Sequence, residues 1–206
     1  MPIQLAGAVG PSAVGDGATP PVRQNRDGSL AVVESHGRYY EAAYRKNLFT
    51  AVASGTTLTA ANTAYTGLAV LNPSGNSKNF VLQKTGGFLA VTSASTLGIA
   101  LGYWAQGTTT MTNTTPVTVL PNFVGTGGST AIASSSATTA ASQTAIKYLL
   151  HNTAAIATTG EDPGWQVDLE GSIIVPPGYG VALIAVSAAS AASALYADIS
   201  WEEVPV

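Results

Sequence analysis

The chain has 206 residues, which is enough for one well-filled core with an appended arm and short for two full domains. Only 9% of the residues are charged, against about 25% in an average soluble domain. The net charge of −3 argues against a general nucleic-acid binder, which needs a basic patch. The absence of cysteine excludes disulfide bonds and thiolate chemistry.

The N-terminal residues predict an extended arm. Residues 1–28 are rich in Gly, Pro and small side chains with little periodicity, so they cannot bury a face of their own. A turn at Asp27-Gly28 precedes a short predicted strand over 29–34. We therefore divide the chain into an N-terminal arm, 1–36, and a β-sandwich domain, 37–206. The first seven residues lack basic and long apolar regions, so no secretion signal is expected.

The remaining sequence is typical of an antiparallel β-sandwich, because short apolar or alternating runs are separated by turn residues. No long segment carries helix-forming residues at 3.6-residue spacing, and at most one or two helical turns are expected, near 40–45. The predicted strands cover 39–43, 48–53, 67–71, 79–84, 88–91, 97–104, 116–120, 146–150, 166–169, 172–175, 181–186 and 195–202.

Two local patterns make specific predictions. Pro176-Pro177-Gly178 supplies the fixed and positive φ angles of a tight turn between two β-prone runs, which predicts a hairpin or a corner. The same break leaves the apolar stretch 173–186 far too short to span a bilayer, so no membrane contact is expected. Alternation in the last strand predicts one core-facing set, Leu195, Ala197, Ile199 and Trp201.

Two other stretches, 106–115 and 124–143, predict long loops, and the second consists almost wholly of Gly, Ser, Thr and Ala. Loops of this length are uncommon inside compact domains and tend to be functional or ordered by a partner.

The distribution of charge predicts subunit interfaces. Residues 47–77 and 85–146 contain no charged side chain and no histidine. Either neutral polar residues cover the exterior, or much of the exterior is interface, where charge is depleted; we favour the interface and hence a homo-oligomer. Basic residues concentrate in the first quarter and acidic ones near the C-terminus, so the two ends could pair within or between subunits. The candidate capsid or subunit interface residues are Arg23, Arg26, Arg38, Tyr39, Tyr40 and Arg45.

The same sequence offers little for catalysis. The two histidines, His36 and His151, lie near no nucleophile-elbow pattern, and without cysteine they cannot supply a zinc motif. An acidic group, Glu161, Asp162, Asp168 and Glu170, does not match the EF-hand spacing and is better explained as a solvated acidic loop. We therefore predict no catalytic residue, no metal and no cofactor, so the protein is not expected to be an enzyme.

Three segments carry a family resemblance: 37–45 (GRYYEAAYR), 68–82 (LAVLNPSGNSKNFVL) and 200–205 (SWEEVP). Together they resemble a group of small structural proteins of tailed bacteriophages, often encoded among the head genes. The resemblance implies a virion decoration, cement or fibre-type component, a homotrimer with a jelly-roll-like core, and no catalytic residues.

The leading hypothesis is a capsid decoration or cement protein, assembled in the host cytoplasm and located on the capsid surface. The sandwich would self-associate while residues 1–36 reach onto the major capsid protein, with Arg23 and Arg26 meeting acidic partners. The alternative is a receptor-binding or fibre-type module whose loops 106–115 and 124–143 contact a bacterial surface glycan or protein. An acidic-site hydrolase or calcium-dependent lectin is the third class.

Overall fold

The computed structural model describes residues 37–57, 65–89, 98–106, 111–113, 115–135, 137–138, 143–151, 164–186 and 194–206. The predicted arm, 1–36, and the strand predicted over 29–34 lie outside these ranges. The chain divides into two units, Met1–Tyr40 and Glu41–Val206. Of the first unit only residues 37–40 are described, and there the backbone N–H of Tyr40 donates to the carbonyl of Gly37 in a turn.

The described residues form one short helix and fourteen strands. These are α1 Tyr40–Tyr44, β1 Leu48–Thr57, β2 Tyr65–Thr66, β3 Ala69–Asn72, β4 Lys78–Leu89, β5 Gly98–Ala105, β6 Thr112–Asn113, β7 Pro116–Val117, β8 Val119–Pro121, β9 Ile132–Ser134, β10 Ala137–Thr138, β11 Thr144–His151, β12 Trp165–Val175, β13 Tyr179–Ala185 and β14 Ala194–Pro205. The described part of the chain holds no helix with the length and apolarity that crossing a membrane requires.

The strands build two large antiparallel sheets, which confirms the all-β prediction. The five-stranded sheet has the order β12-β4-β14-β1-β8, and the six-stranded sheet has the order β11-β5-β13-β3-β9-β7. A small third sheet has the order β2-β10-β6. Among the longer strands, β5 pairs with β11, β4 with β12, β3 with β13 and β1 with β14. The chain therefore changes sheet at each step along these strands except between β5 and β11.

The two large sheets share one apolar core, as in a β-sandwich. Trp201 on β14 is fully buried, and its ring stacks on Phe80 with centroids 5.6 Å apart. The alternation predicted for the last strand is confirmed, since its core-facing residues are buried while their neighbours are partly exposed. Residues from both sheets complete this core: Phe49, Ala51, Leu82, Leu89, Leu169, Leu195 and Ile199 from the five-stranded sheet, and Val70, Ile99, Leu101, Ala133, Val181 and Leu183 from the six-stranded sheet.

The six-stranded sheet is also buried on its other face. Trp104 packs directly over Gly180 there, leaving no room for a Cβ atom at that position. A second buried cluster surrounds them: Ala69, Leu71, Ala100, Met111, Ala182 and Ile184. Burial on both faces explains why β3 and β13 are continuous apolar runs without alternation.

One predicted strand is wrong, and the structure decides between a hairpin and a corner at the predicted Pro-Pro-Gly turn. Residues 39–43 are not a strand, because α1 occupies Tyr40–Tyr44, as the alternative of helical turns near 40–45 predicts. Glu41 and Arg45 are spaced to pair along a helix, with 2.7 Å between Oε1 and Nε. The Pro176–Gly178 turn is a corner and not a hairpin, because β12 and β13 belong to different sheets.

In two places, consecutive segments that were predicted as separate strands form a single strand. Gly86 and Gly87 do not end β4, since they continue its ladder with β14 and leave space for neighbouring side chains. Segments 166–169 and 172–175 form β12, with a register break where Glu170 has a φ of 50° and Gly171 of 74°.

The predicted loops are also wrong in part. Short strands occupy residues of both 106–115 and 124–143, because β6 and β10 pair in the small sheet and β9 joins the six-stranded sheet.

Gly87 supplies a test of this packing. A Cβ atom there would lie 2.6 Å from the carbonyl oxygen of Tyr196 and 2.7 Å from ring carbons of Trp165. We expect Gly87→Ala to lower the free energy of unfolding by about 1–3 kcal/mol, measured by urea denaturation. Gly75, where a Cβ atom would meet nothing within 4 Å, is the control, and Gly75→Ala should change stability by less than about 0.5 kcal/mol. Equal effects at both positions would contradict the close approach at Gly87.

Candidate interaction surfaces

The predicted interface residues do not form one site. Arg23 and Arg26 lie outside the described residues. Arg38 and Tyr39 lie in the turn before α1, and Tyr40, which begins the helix, is 43% exposed. Arg45 forms the exposed pair with Glu41. Such a pair contributes little to stability, and the Arg45 side chain is 67% exposed, so it remains accessible to a partner.

Beside α1, exposed aromatic residues form a contact that the sequence did not single out. The rings of Tyr44 and Phe123 lie 6.4 Å apart at an angle of 60°. Lys46, whose φ of 62° ends the helix, places Nζ 5.7 Å from the Phe123 ring centroid. This cation–π geometry orients the basic segment 45–46 against the loop that follows β8.

The carboxylate of Glu203 holds the next part of that loop. Glu203 is fully buried, although it is charged. Its Oε2 accepts from Lys78 Nζ at 2.9 Å, and its Oε1 accepts from Ser129 Oγ at 2.7 Å and from the backbone N–H of Thr130 at 3.3 Å. The segment 129–130, which lies in the predicted long loop 124–143, is therefore anchored to the end of β14.

The turn after β3 joins the same network. The buried amide of Asn72 donates through Nδ2 to the carbonyls of Lys78 and Val175, each at 2.9 Å. Asn76 Nδ2 donates to Asn72 Oδ1 at 2.7 Å and to Thr130 Oγ1 at 2.8 Å. Two of the three segments that carry the bacteriophage resemblance, 68–82 and 200–205, thus meet in one polar network.

Among the described strands, the two large sheets are joined on one side of the sandwich, the closed side, and end in separate edge strands on the other, the open side. On the closed side, β7 belongs to the six-stranded sheet and β8 to the five-stranded sheet, with only Thr118 between them. On the open side the edge strands are β12 and β11. A groove of about 270 Å³ lies there, and we call it the open-side groove. Its lining contains no charged residue: Tyr103, Ile146, Ile173, Ile174, Val175, Pro176, Tyr179, Gly180 and Val181.

Large apolar side chains remain exposed around the open-side groove. Ile174 is 58% exposed, Ile146 44%, Tyr103 42% and Tyr179 40%. Tyr148, on the edge strand β11, is 72% exposed. All of these residues except Tyr179, which follows the predicted turn, were placed in strands by the sequence, but none was recognised as surface, because their exposure depends on which strands lie at the sheet edges. The lack of charge between 85 and 146 was the available signal.

Among the described residues, no group of three or more His, Cys, Asp or Glu side chains could hold a metal ion. His36, Glu161 and Asp162 lie outside the described residues, and His151 ends β11. Asp168 Oδ1 accepts the backbone N–H of Glu170 at 3.1 Å within the irregular part of β12. Comparison with protein-family models, known proteins and solved structures finds no match to this chain.

The anchoring of the loop by Glu203 can be measured. Lys78→Met should lower the free energy of unfolding by about 1–3 kcal/mol, because it leaves the buried carboxylate without its cation; partial exposure of Lys78 keeps the loss below that of a fully buried pair. Arg45→Met removes the exposed pair with Glu41 and should cost less than about 0.5 kcal/mol. Chemical denaturation of both variants measures these losses of stability. Equally small losses would show that the buried carboxylate of Glu203 does not need the charge of Lys78.

Proposed function

We propose that this protein is a non-enzymatic structural protein of a virus particle, a capsid decoration or cement protein that self-associates and binds the head shell. The observation that carries the proposal is the open-side groove, an uncharged surface framed by exposed isoleucine and tyrosine side chains. Clustered exposed apolar side chains mark interaction sites on soluble proteins. Aromatic residues are also enriched where protein interfaces bury their central contacts.

The strand order supports a jelly roll, the two-sheet Greek-key architecture that viral capsid domains use. In a jelly roll a long antiparallel strand pair wraps around itself, so that successive strands alternate between the sheets. The pairs β5–β11, β4–β12, β3–β13 and β1–β14 follow that scheme. Sheet closure by β7 and β8 on one side leaves the opposite side for contacts between subunits.

Self-association through the open-side groove supports a homo-oligomer, with a trimer favoured by the bacteriophage resemblance. An edge strand such as β11 presents unpaired backbone groups and exposes Ile146 and Tyr148, so covering it removes an aggregation hazard. The N-terminal arm, 1–36, then remains for the major capsid protein. Arms that order on binding can cover a large surface while losing affinity to the ordering.

The alternative, a receptor-binding or fibre-type module, was predicted to use the loops 106–115 and 124–143. Anchoring of Ser129 and Thr130 by Glu203 and pairing of β9 with β3 restrict the second loop. Those contacts favour the decoration hypothesis over loops that project freely towards a host cell.

The interface proposal predicts a specific loss of self-association. Ile174→Asp places a carboxylate among the residues that line the open-side groove, where association would bury it without a partner. Burial of an unpaired charge costs about 3 kcal/mol or more, so the dissociation constant should rise at least about a hundredfold. Leu120→Asp is the matched control, since Leu120 is 50% exposed on the other edge strand of the same sheet.

Sedimentation equilibrium of the wild-type protein and both variants measures this difference. An oligomer for the wild type and the control, with a monomer for Ile174→Asp, supports the proposal. A wild-type monomer at every concentration, or an unchanged oligomer for Ile174→Asp, contradicts it.

A second prediction concerns the arm and the shell. Deletion of residues 1–28 should leave a folded oligomer that no longer co-sediments with empty bacteriophage capsids, because the sandwich retains its core while the capsid contacts are removed. Arg23→Ala/Arg26→Ala in the full chain should weaken capsid binding less than the deletion does, and the binding that remains should be less sensitive to salt, because two charged contacts are removed. Undiminished capsid binding by the deletion variant would exclude a role for the arm.

A further inference from the structure

A second groove lies on the outer face of the five-stranded sheet, and we call it the outer-face groove. Its volume is about 480 Å³, within the range of small-molecule sites in proteins. Strands β1, β4 and β14 line it, and alternation along them directs Val52, Phe88, Tyr196 and Asp198 outward, away from the core. Unlike the open-side groove, it combines aromatic rings with a carboxylate.

The aromatic part of the outer-face groove is a stacked pair. Phe88 and Tyr196 are directly opposite on β4 and β14, and their rings lie 4.9 Å apart and within 4° of parallel. Phe88 is 47% exposed. Gly55 interrupts the ladder of β1 with a φ of 74°, and a Cβ atom there would lie 3.5 Å from the Tyr196 hydroxyl. Each ring covers one face of the other and restrains its rotation, so the pair presents its remaining apolar surface at little cost in side-chain entropy.

The polar part lies beside this pair. Asp198 is directly opposite Val52, which is 49% exposed. On its other side Asp198 is opposite Gly86, and Oδ1 lies 3.1 Å from the position of a Cβ atom on that glycine. Burial raises the pKa of Asp198, and the charge of Lys84 acts against that rise. A hydrogen-bond acceptor and a methyl-bearing side chain therefore stand next to each other at the edge of the aromatic surface.

We infer that the outer-face groove binds a sugar that carries an acetamido group. The apolar face of a pyranose ring suits the Phe88–Tyr196 surface. The acetamido group joins an N–H donor to a methyl group, which matches Asp198 beside Val52. Buried hydrogen bonds to a charged acceptor give such a site its discrimination, because a sugar without the N–H leaves the acceptor unpaired.

A cationic side chain, such as an arginine of a protein partner, is the competing occupant. The structure favours the sugar, because the positive charge of Lys84 already acts on Asp198 and the exposed hydroxyl of Ser54 lines the same groove. The two-sheet jelly roll proposed above also occurs in lectin domains. This inference does not depend on capsid binding or on the open-side groove.

Saturation-transfer NMR of the full-length protein with methyl glycosides tests the inference. The probes are the α-methyl glycosides of N-acetylglucosamine and N-acetylgalactosamine, with those of glucose and galactose as partners that lack the acetamido group. We expect at least one amino sugar to bind with its acetyl methyl protons among the most strongly saturated. The corresponding hydroxy sugar should bind at least tenfold more weakly.

Variants assign the binding to the groove. Phe88→Leu and Asp198→Asn should each weaken binding at least tenfold, whereas Val124→Ser, at a 90% exposed loop position, should not change it. Because burial raises the pKa of Asp198 above its unfolded value, the ionised form costs stability at neutral pH and the cost is lost as the pH falls. Asp198→Asn should therefore fold at least as stably as the wild type, which circular dichroism can verify.

Three outcomes overturn the inference. One is that neither amino sugar binds at concentrations on the order of 10 mM, which would mean a dissociation constant too high for a specific site. Another is that binding survives both Phe88→Leu and Asp198→Asn. The third is that N-acetylarginine amide, tested in parallel, binds through Asp198 while the sugars do not, which would make the groove a site for a basic peptide.

Discussion

The packing of Trp201 between the two sheets is the contact on which the rest of the structure depends. Its ring lies against Phe80 on β4 and 6.4 Å from Phe49 on β1, so one side chain joins three neighbouring strands. A slip of one residue in the register of β14 would turn Trp201 and every other core residue of that strand outward. The register is therefore fixed, and with it the outward positions of Tyr196 and Asp198.

The same register also buries a charge. Glu203 follows Trp201 by two residues on β14 and so faces inward, where it is fully buried. A carboxylate in that position needs a cation and hydrogen-bond donors, which Lys78, Ser129 and Thr130 supply. The loop after β8 and the turn after β3 are held at this end of the sandwich as a consequence. The polar network is thus a result of core packing.

Much of the fold could be predicted from local patterns. A few neighbouring residues were enough to predict the alternation of β14 and the turn at Pro-Pro-Gly, and both predictions agree with the structure. The length of β4 could not be predicted in the same way, because Gly86 and Gly87 resemble a turn in the sequence. Their role is clear only from the structure, in which they lie against Asp198 and Trp165. Burial of Glu203 was missed for the same reason, since its partners are distant in the sequence.

The two grooves place similar side chains in different surroundings. Around the open-side groove, the exposed isoleucines and tyrosines belong to strands at or near the sheet edges, where no charged side chain lines the surface. Such a surface gains free energy only by excluding water against another apolar surface. In the outer-face groove, Phe88 and Tyr196 lie beside a carboxylate near the centre of a sheet. There an apolar partner would desolvate Asp198 without supplying a hydrogen-bond donor, so the proposed ligand with its own donor fits this groove better than a second copy of the chain does.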